Sequence, residues 1–251
     1  MVLEILNDDR AFLRGPRSTL TRSASPLRVV DMFSGCGGLT LGVEEAAKAS
    51  RMSMEVRLAI EIDPHIRRVY ADNFRVAGNA LGSDVRNHFD RAVGSNPSAR
   101  ERKTVELVGP RLDVLVGGPP CQGHSTLNNH TRGDDPKNRL YLSMVRATEL
   151  LKPRIVVIEN VPAIERDSGS VVERAKSFLQ KLDYGVETAV VSIADFGVPQ
   201  LRKRHVLVAL KGQKPHFVED LQSSVCGKHR SLKWAIRDLQ RARGSKRSSW
   251  P

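Results

Sequence analysis

Six short runs decide what this chain can fold into: RVVDMFSG, VRLAIEID, LDVLVGG, RIVVIENV, ETAVVSIADFGV and RHVLVAL. They are rich in β-branched residues, and several are apolar on both faces. A strand with two apolar faces must be covered on both, the situation of a parallel sheet flanked by helices. The stretches between them, LTLGVEEAAKAS, HIRRVYADNF, NRLYLSMVRATELLK and GSVVERAKSFLQKLD, carry helical periodicity. This alternation predicts an α/β fold: a Rossmann-like, doubly wound, mostly parallel sheet with helices on both faces. SLKWAIRDLQ suggests one more short helix where the pattern weakens.

With 251 residues, 40% of them hydrophobic, the chain can build one sizeable core. Residues 1–27 read as a basic, partly disordered lead without a signal-peptide core, 28–212 as the folded unit, and 213–251 as a basic segment of linker composition. The formal net charge of +12 points to a polyanionic partner, nucleic acid first, with plain solubility as the other reading. Cys36, Cys121 and Cys226 lie far apart and form no C-x-x-C pair. No disulfide framework, zinc site or other metal is therefore expected, and a reducing cytoplasm is the expected location. No apolar run approaches the roughly 18 residues of a membrane span.

The first strand runs into DMFSGCGGLTLG, where Gly35, Gly37 and Gly38 permit a tight turn and a close ligand approach. The helix from Leu39 points its amides at that ligand. The pattern is not G-x-G-x-x-G, which disfavours NAD, and a packing turn is the plain alternative. Strand two ends in AIEIDPH. An acid there, Glu61, accepts hydrogen bonds from ribose hydroxyls in sheets of this kind. Ile62 offers an apolar face for a purine. Asp84, in GSDVRN, is placed to accept from an exocyclic amine or to serve as a helix N-cap. Three such signals at successive strand ends favour an adenosine-type cofactor. No P-loop lysine or pyrophosphate clamp is present, so S-adenosylmethionine fits better than ATP or NAD.

The fourth strand delivers one thiol, Cys121, behind two stiff prolines, Pro119 and Pro120. Lone cysteines are usually inert core, but GGPP and QGHS are poor core formers, so Cys121 reads as an exposed nucleophile. Strand five ends in VIENVPAI. Glu159, emerging from apolar surroundings, is expected to be partly desolvated and able to donate a proton, with an ion-paired glutamate as the other reading. In QLRKRHVLVAL, Gln200, Arg202 and Arg204 alternate at period two and share one face of an extended segment, suited to a phosphate or a base carbonyl. A plain basic surface also explains the arginines.

Taken together, DMFSGCGGL, EIDPH, GSDVRN, GGPPCQGHS, ENV and QLRKR resemble, in order, six motifs of the DNA cytosine-5 methyltransferase family, over about Arg28 to Leu210. The resemblance implies methyl transfer from S-adenosylmethionine to C5 of a cytosine flipped out of double-stranded DNA, as in bacterial restriction–modification. It makes 28–212 a catalytic domain in a prokaryotic cytosol or nucleoid. Cys121 would add to C6, Glu159 would engage N3, and Arg204 with Arg202 would stabilise O2 or flanking phosphates. Phe33, Ser34, Gly35, Cys36, Gly37, Gly38, Leu39, Glu61, Ile62 and Asp84 would form the cofactor site, with Pro119 nearby. Gln122, Ser125, Gln200, Arg202 and Arg204 would face DNA, and Gln122 to Asn138 would be a mobile loop closing over it.

Two departures stand out. His124 occupies a position where the family commonly has an apolar residue. The family also continues with a target-recognition region and late motifs that are absent up to Pro251; GNA at Gly78 to Ala80 echoes one of these by coincidence. The expectation is therefore a catalytic part acting with a small subunit that carries target recognition, or a truncated piece. A non-catalytic cofactor- or DNA-binding remnant is the alternative from a different class. A tRNA substrate is a third reading, although PPCQGHS looks more like the DNA-modifying members.

Overall fold

A computed structural model describes residues 25–74, 76, 78–120, 136–167, 169–225 and 229–241. Its strands are β1 (Leu27–Met32), β2 (Met54–Ile60), β3 (Leu81–Gly82), β4 (Val114–Gly117), β5 (Ile155–Asn160), β6 (Tyr184–Ser192) and β7 (Lys203–Lys211). Its helices are α1 (Gly38–Ala49), α2 (Pro64–Phe74), α3 (Ala99–Val108), α4 (Pro136–Leu151), α5 (Val171–Lys181), α6 (Phe217–Ser223) and α7 (Leu232–Arg241).

The strands form one sheet in the order β3-β2-β1-β4-β5-β7-β6. The pairs from β3 through β5 are parallel, while β7 inserts antiparallel between β5 and β6. The expected α/β sheet is thus present, and its one reversed strand was not legible in the runs. The carboxyl ends of β1, β2, β4 and β5 meet the start of β7 along one edge.

The period of two sorts the strand residues onto two covers. Val30, Met32, Leu58, Ile60, Leu115, Val156, Ile158, Leu207 and Ala209 form the larger core with Tyr141, Met144 and Val145 of α4 and Ala175 and Leu179 of α5. Val29, Val114 and Val116 form the smaller one with Leu39 and Val43 of α1. At Gly117 the strand is pinched between these layers. A Cβ there would lie 2.6 Å from both Met144 Sδ and Met32 O.

Helix α3, ARERKTVELV, carries little apolar periodicity and gave no signal in the sequence. A capping box starts it, with Ser98 and Glu101 bonding each other's backbone N–H. Its buried face is mostly polar, with Glu101 and Thr104 beside Val108. Glu101 receives Arg146 of α4 in a two-pronged pair at 2.9 and 2.7 Å, and Glu149 holds the third guanidinium nitrogen at 2.6 Å. ETAVVSIADFGV is strand only to Ser192; Ile193–Phe196 form a 3-10 turn that ends on Gly197 at φ 80°. The GNA tripeptide is likewise a 3-10 turn leading into β3. Among the described residues no helix is long and apolar enough to cross a membrane.

Candidate active site

The turn after β1 is built from backbone freedom and tight packing. Phe33, Gly35 and Gly37 all have positive φ, at 59°, 54° and 93°. Gly37 has a second requirement, since a Cβ there would lie 2.1 Å from Phe74 Cε2 and 3.0 Å from Tyr70 Cδ2. Beneath the turn runs a buried polar chain that the sequence did not single out. Thr40 Oγ1 donates to Asp31 Oδ2 at 2.6 Å and lies 2.7 Å from Tyr70 Oη, tying β1, α1 and α2 together. Burial pushes the Asp31 carboxyl up to about 7; the Thr40 bond opposes the shift and the charge of Glu61 adds to it.

Glu61 closes the turn from β2. Its Oε2 accepts from Gly35 N at 2.9 Å and its Oε1 from Asp63 N at 2.9 Å. Each oxygen keeps a lone pair for a ligand hydroxyl. Asp84 caps the 3-10 turn after β3 through Arg86 N and also grips the Arg86 guanidinium, Nη2 lying 2.6 Å from Oδ2. That grip, a signal missed in the sequence, holds the Asp84 carboxyl below the ordinary carboxylate range. The N-cap reading and the pocket position therefore coexist.

One cavity of about 1080 Å³ is lined by Phe33, Glu61, Ile62, Asp84, Gly118 and Pro120, among others. Ile62 is 68% exposed, an apolar side chain with no core to pack in. Ser34 Oγ is buried without a hydrogen-bond partner. Acidic acceptors and an exposed apolar face on one wall, with an orphaned hydroxyl in the turn beside it, suit a nucleoside-bearing cofactor. Of the other turn residues, Cys36 and Gly38 are exposed, and Leu39 packs into the smaller core. Pro119 is buried beside the cavity and outside its lining, while its neighbour Pro120 takes part.

Further along the same edge stands Glu159. Because β7 runs antiparallel to β5, Glu159 pairs with Val206, which places Arg204 and Arg202 on the same sheet face. Arg204 Nε lies 2.6 Å from Glu159 Oε1, and Arg202 Nη2 lies 3.7 Å from that oxygen. The carboxyl is thus ion-paired and 27% exposed, the arrangement that the sequence left open beside a partly desolvated proton donor. Period-two alternation unites the two arginines with the acid. Gln200 is exposed, in a turn before β7.

The other oxygen faces the loop that leads to the thiol. A Cβ at Gly118 would lie 3.3 Å from Glu159 Oε2. Buried Asn160 donates from Nδ2 to Pro119 O at 3.0 Å, fixing that loop to β5. Cys121, Gln122, His124 and Ser125 lie outside the described residues. Among the described residues no group of three His, Cys, Asp or Glu side chains could hold a metal ion.

A glycine turn, an acid at the end of β2 and a reversed seventh strand together define a Rossmann-like methyltransferase fold. The C-5 cytosine-specific DNA methylase model matches residues 27–250. The chain belongs to that family. Type II methyltransferase M1.BsuMI of Bacillus subtilis (strain 168) is 33% identical over 234 residues, 92% of this chain and 54% of that protein. Type II methyltransferase M1.HphI of Haemophilus parahaemolyticus is 34% identical over 188 residues, 74% and 46% respectively. A solved structure from an E. coli prophage, described as a DNA modification methyltransferase, superposes with a TM-score of 0.57 at 32% identity, covering 74% of this chain and 47% of that one. S. pombe Dnmt2 shares the fold, with a TM-score of 0.59 at 19% identity over 83% of this chain and 58% of that one. The chain spans about half the length of the curated relatives it matches.

Proposed function

We propose that this chain carries the catalytic centre of a DNA cytosine-5 methyltransferase. The observation that carries the reading is the Glu159 carboxylate, held by Arg204 at 2.6 Å and abutting Gly118 of the Cys121 loop, at the sheet edge that also bears Glu61 and Ile62.

C5 of cytosine is a poor nucleophile, and the base is inaccessible inside a duplex, so it must be extruded. The Cys121 thiolate adds to C6. A proton delivered to N3 through Glu159 neutralises the charge arriving in the ring, so that C5 gains enamine character. Arg204 and Arg202 keep the acid oriented and offer guanidinium N–H groups to the base O2 or a flanking phosphate. Transfer of the C5 proton to solvent with expulsion of the Cys121 thiolate restores the aromatic ring. S-adenosylmethionine, when bound, supplies the electrophilic methyl group. Glu61 would hold its ribose, Ile62 and Phe33 its purine, Asp84 its exocyclic amine and the turn from Ser34 to Gly38 its remaining length. The orphaned Ser34 hydroxyl and the free lone pairs of Glu61 support that fit. Target selection is assigned to a further region or a small subunit, a reading supported by the greater length of the relatives.

The test uses duplex DNA with 5-fluorocytosine as the target base, together with S-adenosylmethionine and candidate recognition polypeptides. Fluorine at C5 cannot leave as a proton does, so a working Cys121 accumulates a denaturation-resistant covalent adduct. Cys121→Ser should give none, and Glu159→Gln should slow trapping about 10²- to 10⁴-fold. No adduct under any complementation, with folded protein, assigns the chain to the non-catalytic remnant.

A further inference from the structure

The cavity is larger than its cofactor-type wall. Small-molecule pockets run to about 1000 Å³ at the upper end, and this one reaches about 1080 Å³. Beyond the strand-end residues, its wall comes from the segment after β3 and from α3, α4 and α5, with Phe89, Arg91, Val93, Arg100, Arg174 and Phe178 among its residues. Besides Arg86 and Arg139, three guanidinium groups thus share one concavity with aromatic and apolar side chains and with the Asp90 carboxylate. Arg86, on the same wall, is neutralised by Asp84. Among the described residues Arg91, Arg100 and Arg174 have no carboxylate partner. Arg100 and Arg174 also lie in the first turns of their helices, where the helix dipole disfavours a cation. Cations that face one concavity without carboxylate partners, two of them opposed by a helix dipole, are stabilised once an anion joins them. Planar guanidinium forks match phosphate oxygens in particular.

We propose that Arg91, Arg100 and Arg174 form a phosphate-binding annex of this cavity, distinct from the Glu159 site and from the residues assigned to the cofactor. The proposal rests on the reading of Glu61, Ile62 and Asp84 as the cofactor wall. The phosphate group is either a phosphodiester of the DNA or a free phosphate-bearing molecule.

The experiment uses the full chain, with the three arginines replaced singly and together by Gln. All three are exposed, so the core is untouched, and circular dichroism checks the fold. Calorimetric titration with inorganic pyrophosphate should show binding by the wild type that weakens at least tenfold in the triple variant. S-adenosylmethionine affinity should stay within about twofold. The salt dependence of duplex DNA binding separates the two sources. A log–log slope that falls by about one per arginine removed assigns the annex to the DNA backbone. An unchanged slope with lost pyrophosphate binding assigns it to a free phosphate group. Equal pyrophosphate binding and equal slopes in wild type and triple variant overturn the proposal. So does a loss of S-adenosylmethionine affinity that spares 5′-methylthioadenosine, because it would give the arginines to the cofactor carboxylate. If the wild type binds pyrophosphate but no S-adenosylmethionine, the cofactor reading fails and the annex stands.

Discussion

At the scale of single residues, Asp31 is a carboxyl held against its ordinary preference for water. It is fully buried, only one of its oxygens is hydrogen-bonded, and its carboxyl sits at about 7 against an ordinary 3.8. A folded value above the unfolded one means that folding favours the neutral form. The stability linked to Asp31 is therefore complete below about 3.8 and is lost as pH rises through about 7. The loss is on the order of 4 kcal/mol. Denaturant unfolding of wild type and Asp31→Asn across that range should show the wild type losing stability relative to the variant as pH rises. Parallel curves would place the titration elsewhere. Glu159 teaches a related lesson. Its position at a strand end was legible, because an apolar run ending in a carboxylate is a local pattern. The partner in its ion pair was not, because Arg204 reaches it only through the pairing of β5 with β7, and nothing local to ENV or QLRKR says which strands are neighbours.

Among the elements, α3 shows how a helix without an apolar stripe stays in place. Glu101 and Arg146 are 0% and 1% exposed and bonded twice, and Glu101 also accepts the backbone N–H groups of Arg91 and Ser98. Removing one member of a buried pair strands the other charge, at a cost of about 3–5 kcal/mol, whereas an apolar replacement of both is often close to neutral. Glu101→Gln should lower the unfolding free energy by about that amount, and Glu101→Leu with Arg146→Met should recover most of it, read from denaturant midpoints. Equal losses in both would mean that the pair's hydrogen bonds to the Arg91–Ser98 segment matter more than its charge. This helix escaped the sequence reading for the same reason: periodicity detects apolar faces, and the buried face of α3 is made of Glu101, Thr104 and Val108.

For the whole molecule, the cofactor reading has a thermodynamic signature. A ligand at a hundred times its Kd that binds the folded state alone stabilises it by about 2.7 kcal/mol. For a chain of this size that raises Tm by about 5–10 °C. S-adenosylmethionine should produce such a shift in a thermal melt, and Glu61→Ala should remove most of it whatever it does to the starting Tm. A full shift in the variant would take Glu61 out of the pocket. The sequence by itself determined the parallel core, the glycine turn and the acids at the ends of β2 and β5, because side-chain period and backbone freedom are written in neighbouring residues. The tertiary structure alone decided that β7 turns back between β5 and β6, that two arginines thereby converge on Glu159, and that Asp31 is sealed under the turn. Those outcomes depend on which distant segments exclude water together, a property of the assembled layers.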